Sequence, residues 1–483
     1  MAWLSLLMCV VGLVYLPFPL LTVSASLALY VASRFSVAIY ANIKGLGDIR
    51  RAERTNWRDY YAAHRTDPAL AWDDVHHLVI VPNYAEPIAL LRHTLTHLAA
   101  CDGAERMTIM LAMEAREADA EAKARQLRDE FDGRFARVLY ALHPDGLHGE
   151  SRCKSANQNW AARCAVRRLV DDLGYRRDHI IVTTMDADTL WHPHYFAALT
   201  AYFATDPERY RRMWQAPIRY HANVHAINPL MRLVNAYATA FELAFLAANW
   251  WLSLPISSYS LSLNLLEACD YWDTDVIADE WRTYIKAFAA TDGRVIIQPV
   301  FLPFLAQATT GDTFLQACIN RYRQSLRHGW GSKELGTAIR IAQKNRHIPL
   351  SQSVRLIARI AHDILLPGAG WIIVTVGAQM PFLFHPAMRE SLLHDPFSSP
   401  SYIVLQCAFV LFTVCGVAVW WIDVITRPPR HTPRWRGESA LVVLGFFALP
   451  LMTFFFVALP LLQAQTRLIL RDRLDFQVTA KQT

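Results

Sequence analysis

Four short polar clusters carry residue types that can hold a nucleotide. They are Asn83-Tyr84-Ala85-Glu86 behind Pro82, the single Glu114, the loop from Gly149 to Lys154, and Asp186-Ala187-Asp188-Thr189. Carboxylates and an amide can meet a nucleoside's base and ribose hydroxyls, and Lys154 can meet a phosphate as a point charge. An Asp-x-Asp pair can hold one divalent cation, because magnesium takes one or two carboxylates and completes its shell with phosphate oxygens and water. Singly, each cluster has a plainer reading: Asp186 and Asp188 as a solvated turn, Lys154 and Arg152 as exposed surface charge. What joins them is their order along the chain and their position, three of the four directly after an apolar run.

Those runs must do the positioning. His77 to Val81 is short, apolar and β-branched and stops at Pro82-Asn83, after which Ile88 to Leu98 continues with helical periodicity. Met107 to Met113 predicts a second strand, followed by a charge-rich helix from Ala115 to Phe131. Arg137 to Leu142 predicts a third, and after a helix from Ser155 to Leu173 comes a fourth, His179 to Met185. Strands alternating with helices predict an α/β domain with a parallel sheet, whose ligands sit outside the carboxyl ends of the strands.

At 483 residues the chain can hold such a domain and several membrane spans, and 53% hydrophobic residues is above the usual soluble range. Arg34 is the sole charged side chain from Met1 to Ile43, and Ile364 to Phe384, Tyr402 to Ile422 and Ala440 to Thr466 carry none. A bilayer core takes about 20 apolar residues as a helix, so each late run is long enough to cross. The opening run is long enough for two helices around Pro17-Phe18-Pro19, and without a basic start or a small-residue cleavage site it reads as a retained anchor. The expected division is a transmembrane region of one or two helices over 1–43, a cytoplasmic domain over 44–335, an amphipathic interfacial region over 336–363, about three helices over 364–466, and a polar tail over 467–483.

Lys and Arg beside membrane spans stay cytoplasmic. Lys44, Arg50, Arg51 and Arg54 follow the opening run, and Arg427, Arg430, Arg434 and Arg436 separate the last two, so both loops are expected on the cytoplasmic side with the domain. Arg467, Arg471 and Arg473 break the pattern if five helices cross, unless Pro450 and Pro460 fold the last run into a re-entrant hairpin. Eight cysteines without paired spacing give neither a zinc cluster nor a disulfide framework. The net charge of +6 sits mostly beside the spans and points to membrane lipids rather than nucleic acid.

With these residues in hand, the chain resembles the family-2 glycosyltransferases, in particular the membrane-integrated branch of cellulose, chitin and hyaluronan synthases. Val81 to Pro87 resembles the opening motif of that fold, Glu114 stands where the family has an Asp near the base, and Gly149 to Asn157 is similar to its G-K-x-x-A-L-N segment, with Lys154 and Asn157 the matching polar positions. The resemblance implies a Rossmann-like glycosyltransferase type A domain, a nucleotide-sugar donor, and Mg2+ or Mn2+ on Asp188, with Asp186 nearer the ribose. Asp275 to Trp281 resembles the acidic motif that carries the general base; Asp279 is the implied base, Glu280 the competing choice, and a helix cap the plainer reading of Asp279. Gln324-Ser325-Leu326-Arg327-His328 is similar to the Q-x-x-R-W motif, which implies Arg327 at the diphosphate and an aromatic wall from His328 or from Trp330. Arg321, Arg323, Arg327 and Lys333 could instead meet lipid headgroups, and helical spacing puts Arg323 and Arg327 on one face.

Pro255 to Ser262 departs from the family's Gly-rich, basic stretch: it is Ser-rich and neutral, and offers hydroxyls to an acceptor. The implied reaction is an inverting transfer at the membrane, expected to be the bacterial inner membrane. A polysaccharide synthase extending a glycan acceptor is the first expectation. Transfer of a single sugar to a lipid-linked acceptor is the second, and a catalytically silent nucleotide-sugar sensor the third.

Overall fold

The first helices are long because the opening run is mostly apolar and only Pro17 breaks its backbone pattern. In the computed structural model, which describes residues 2–470 apart from 68, 249 and 431–436, α1 (Ala2–Tyr15) and α2 (Pro17–Glu53) are parted only at Leu16. The proline after Leu16 pushes that residue out of the helical region.

The α/β domain follows. Its four expected strands are β1 (His76–Pro82), β2 (Met107–Glu114), β3 (Arg137–His143) and β4 (Ile180–Thr184), all parallel, with His77 opposite both Met107 and Ile181. Between and after them run α3 (Ile88–Ala99), α4 (Ala120–Glu130), α5 (Lys154–Val166) and α6 (Tyr195–Thr205). β1 reads as a continuous apolar run because both its faces are covered. Val79, Val81, Ile109, Leu111 and Ile181 pack on α3 and α6. Leu78, Ile80, Met110, Ala112 and Val182 pack on α5 from the other side.

The sheet then grows by short strands. β5 (Arg212–Gln215), β7 (Tyr259–Ser262) and β8 (Ile296–Pro299) complete the order β3-β2-β1-β4-β7-β5-β8, with β7 antiparallel to both neighbours. β6 (Ile218–Arg219) and β9 (Phe304–Leu305) form a separate parallel pair. β7 corrects the expectation for the Ser-rich stretch. Ser260 is buried, 2.7 Å from the Thr183 hydroxyl and 3.0 Å from that of Tyr195, and Ser262 caps a short helix through Leu265 N. The hydroxyls of Ser260 and Ser262 are thus committed inside the fold and not offered to an acceptor, whereas Ser257 stays half-buried.

Further helices that bear on the site are α7 (Pro229–Ala247), α8 (Asp279–Ala290), α9 (Phe314–Gly329), α10 (Leu350–Phe384), α11 (Pro400–Thr426) and α12 (Glu438–Ile469). Among the described residues five helices are long and apolar enough to cross a membrane: α2, α7, α10, α11 and α12. α7 lies between β6 and β7, and β5 and β7 pair in one sheet. The chain therefore enters and leaves α7 on the domain's side, and α7 seats the domain on α2 and α11 rather than crossing alone.

α12 is also unlike its expectation. Glu438 at its head pairs with Arg232 of α7 at 2.7 Å, and Gln463 near its end accepts from the Tyr322 hydroxyl of α9 at 2.8 Å. Both ends thus touch the domain without a hairpin turn at Pro450 or Pro460, and the run, bent by a π-turn at Phe454–Ala458, lies along α7 and α9. Arg467 then stands on the domain's side. Arg434, Arg436, Arg471 and Arg473 lie outside the described residues.

Candidate active site

A cavity of about 440 Å³ opens at the carboxyl ends of β1, β2 and β4. Pro82, Asn83, Tyr84, Glu86 and Glu114 line one end of it, Lys154, Asp186 and Asp188 the middle, and Asp279, Gln324, Arg327 and His328 the wall opposite.

The first end is held by a tight turn. Ala85 has φ 60°, a region that costs a non-glycine residue about 1–3 kcal/mol and persists where its surroundings hold it. Here the holding group is Glu117, which accepts from Ala85 N and Asn83 Nδ2, both at 3.0 Å. Lys123 pairs with Glu117 in turn. The Arg116 guanidinium lies 3.7 Å from the centre of the Tyr84 ring, and its Nε is 3.4 Å from Glu114. This gives a flat cationic and aromatic surface beside a carboxylate, the chemistry that receives a nucleobase. His143 joins Glu114 to Glu150; burial opposes its charge, but those two hydrogen bonds outweigh it and raise its pKa. Asn157, buried at the cavity wall, donates to the Ala112 carbonyl at 2.7 Å and so ties α5 to β2.

The middle is electrostatic. Lys154, the first residue of α5, lies 2.6 Å from Asp186, whose other oxygen accepts from Ser257 Oγ at 2.8 Å. Burial opposes the Lys154 charge, but Asp186, Asp279 and Glu280 together hold its pKa above the ordinary lysine value. Asp188 accepts from Gln307 N at 3.3 Å, and Thr94 fixes the intervening Ala187 carbonyl at 2.7 Å. Among the described residues no three His, Cys, Asp or Glu side chains gather into a metal cluster. Two cavity-facing carboxylates with no third protein ligand fit a divalent ion whose remaining ligands are phosphate and water. Asp186 is shared with Lys154 and Ser257, and Asp188 with Gln307 N.

Opposite stands an acidic pair at the head of α8. Asp279 is 3% exposed and accepts from Gln158 Nε2 at 2.6 Å instead of capping the helix. Glu280 faces the cavity, accepting from its own backbone N–H and from no side chain among the described residues. Burial, then Asp279, push its carboxyl up to about 8, against the pull of Lys154. On α9, Arg321, Gln324, Arg327 and His328 share the face that lines the cavity. Gln324 is fixed by Thr309 at 2.8 Å and Arg321 at 2.9 Å. Burial lowers the pKa of His328 to about 3, with Arg327 and Arg321 adding to it, so this ring is neutral.

All the expected site residues meet at this cavity except one. Trp330 does not line it, because it follows α9 in a 3-10 turn off the cavity face, and His328 supplies the ring instead. Missed in the sequence were Arg116 and Gln158, while the Ser-rich stretch pointed to hydroxyls without showing that Ser257 meets Asp186. Arg116 is legible two residues past the end of β2; the other contacts are tertiary.

Residues 76–273 match the model of a family described as "Glycosyltransferase like family 2". This stretch is a family 2-like glycosyltransferase domain. It includes Asn83, Lys154, Asp186 and Asp188 and ends short of the acidic pair and α9, which this family 2-like domain meets across the cavity. No curated protein matches the chain. Among solved structures, the mannosyltransferase PcManGT from Pyrobaculum calidifontis, in complex with GDP-Man and Mn2+, matches with a TM-score of 0.42 and 16% identity over 81% of this chain and 99% of that one. A superposition that loose carries no argument about this chain.

Proposed function

We propose that this glycosyltransferase takes a sugar from a nucleoside-diphosphate donor and transfers it, with inversion and with Mg2+ or Mn2+, to a hydroxyl at the cytoplasmic face of the bacterial inner membrane. One observation carries the reading: a single cavity is lined at one end by Tyr84, Glu114 and Arg116, in the middle by Lys154, Asp186 and Asp188, and opposite by Arg327 and the Asp279–Glu280 pair. Base, diphosphate and a proton acceptor each have a complementary surface there, in the order that a nucleotide sugar needs them.

Asp186 and Asp188 would hold the ion, which when bound offsets negative charge on the leaving diphosphate. Lys154 and Arg327 add fixed positive charge at the same end. The acceptor hydroxyl attacks the anomeric carbon from the face opposite the diphosphate and gives its proton to the acidic pair. Asp279 is engaged by Gln158, so we assign the proton to Glu280, with Asp279 beside it as the group that raises its basicity. The motif alone favours Asp279, and substitution separates the two.

Polymer synthesis is the form of this reading supported by Gln324 to His328 beside the cavity and by the apolar helices around the domain. The test is a panel of nucleotide sugars with Mg2+ or Mn2+, following nucleoside diphosphate release and product size. The expected result is release from one donor, abolished by EDTA, with products many sugars long. Products lengthened by only one sugar, whatever the acceptor, would replace the polymer form with a single transfer. Absence of release from every donor would remove the reading.

A further inference from the structure

The cavity continues past the donor end. Beyond Asp186 and Tyr220 it reaches Glu242 and Phe245 of α7 and Arg359 and Asp363 of α10. None of these has a part in the donor chemistry above. α7 packs on α2 and α11, and α10 is long and apolar enough to cross a membrane, so this end lies where the domain meets the apolar helices.

Charged side chains in membrane-length helices are costly, and those that persist mark function or are paired. Most here are paired. Asp363 pairs with Arg359 and lies 3.1 Å from His362 Nδ1. His362 Nε2 is 2.9 Å from the Tyr30 hydroxyl and 3.0 Å from Arg34, the lone charge of the opening apolar run. Arg359 also donates to the Leu252 carbonyl at 2.6 Å and covers the Phe245 ring at 4.0 Å.

Glu242 differs. It has no hydrogen-bond partner among the described residues, and it opens into the cavity within electrostatic reach of Asp363 and Arg359. The Tyr220 hydroxyl, also without a partner among them, lies within electrostatic reach of Glu242, Arg321, Asp186 and Asp188. A carboxyl group and a phenol can each donate and accept hydrogen bonds, so their complement is a group that does both, such as neighbouring hydroxyls. Phe245 beside it offers an apolar face to whatever carries them.

We propose that Glu242 and Tyr220 form the acceptor subsite, and that it receives the hydroxyl-bearing sugar or glycerol head of a membrane lipid entering from the side of α7 and α10. The inference rests on the glycosyl-transfer reading above. Seated there, the hydroxyl oxygen bonds to the anomeric carbon as the bond from that carbon to the diphosphate oxygen breaks, and the hydroxyl proton passes to Glu280.

The test uses the full chain in detergent, the donor found by the panel, and two acceptors: vesicles of phosphatidylglycerol with glycosyl-diacylglycerol, and a water-soluble tetrasaccharide. The expected result is labelled sugar in the vesicle lipid, with Glu242→Gln raising the KM for that lipid about fivefold to tenfold, the size of one lost hydrogen bond. The donor KM stays put, and Glu242→Asp restores part of the loss. Transfer to the tetrasaccharide alone would overturn the lipid source. An unchanged lipid KM in Glu242→Gln, or donor and lipid KM rising together, would overturn the subsite. Failure of the underlying reading shows separately, as no nucleoside diphosphate released by the unaltered protein.

Discussion

Glu280 is ionised only in part near neutral pH, because burial first and Asp279 second raise its carboxyl to about 8. A base works only when deprotonated, so transfer that depends on Glu280 gains rate as pH rises and levels off above that value. The expected profile of kcat/KM climbs about tenfold per pH unit below it. Glu280→Gln should remove the climb and cost a factor of about 10² to 10⁴. Asp279→Asn should keep a climb and move it to lower pH, since the negative charge that raises Glu280 has gone. A dead Asp279→Asn that still binds nucleotide would return the base to Asp279. Legibility at this scale followed the strands. Asp186, Asp188 and Glu114 could be read because each stands at or just past the end of an apolar run. Glu242 could not, because it sits inside an apolar helix and its meaning comes from a cavity that only packing creates.

Element boundaries were legible where the apolar signal is long. β1 to β4 have 5–8 residues each, and β1, β2 and β4 are buried throughout, whereas β5 to β9 have only 2–4, too few to establish a period. β7 was further disguised by its serines, whose hydroxyls are paired inside the sheet. On α9 the spacing misled in one detail. Four positions apart suggested that Arg323 and Arg327 share a use, yet Arg327 lines the cavity and Arg323 lines a separate groove with Phe455, Phe456 and Arg467. Their substitutions should therefore separate. Arg327→Ala should raise the donor KM about tenfold to a hundredfold, the range for a charge-assisted hydrogen bond, while Arg323→Ala leaves it within about twofold, inside the range for an exposed charge. Donor titrations on both variants check this, and equal losses would mean that the whole helix, not its inner face, holds the donor.

For the whole molecule, the question is what keeps the domain fixed on its helices. Buried ion contacts join segments about two hundred positions apart, which no local pattern could disclose. His221, after β6, lies 2.9 Å from Asp423 near the end of α11, and Arg427 donates its Nε to the same carboxylate at 2.8 Å. His225 reaches the Pro428 carbonyl at 2.9 Å, and Arg232 and Arg430 both hold Glu438. Residues 423–430 therefore stand on the domain's side, and the basic residues among them suit a cytoplasmic face. Removing one member of a buried pair leaves the others desolvated and uncompensated, at a cost of about 3–5 kcal/mol. Asp423→Ala should accordingly lower the melting temperature in detergent, with Asp423→Asn losing less because it keeps a hydrogen-bonding oxygen. The donor end is borne by the sheet and the acceptor end by α7, which α11 and α12 hold in place. At a temperature where Asp423→Ala is still folded, acceptor KM should therefore suffer before donor KM. An unchanged melting temperature would mean that the apolar packing of α7 on α2 seats the domain and the ion cluster does not.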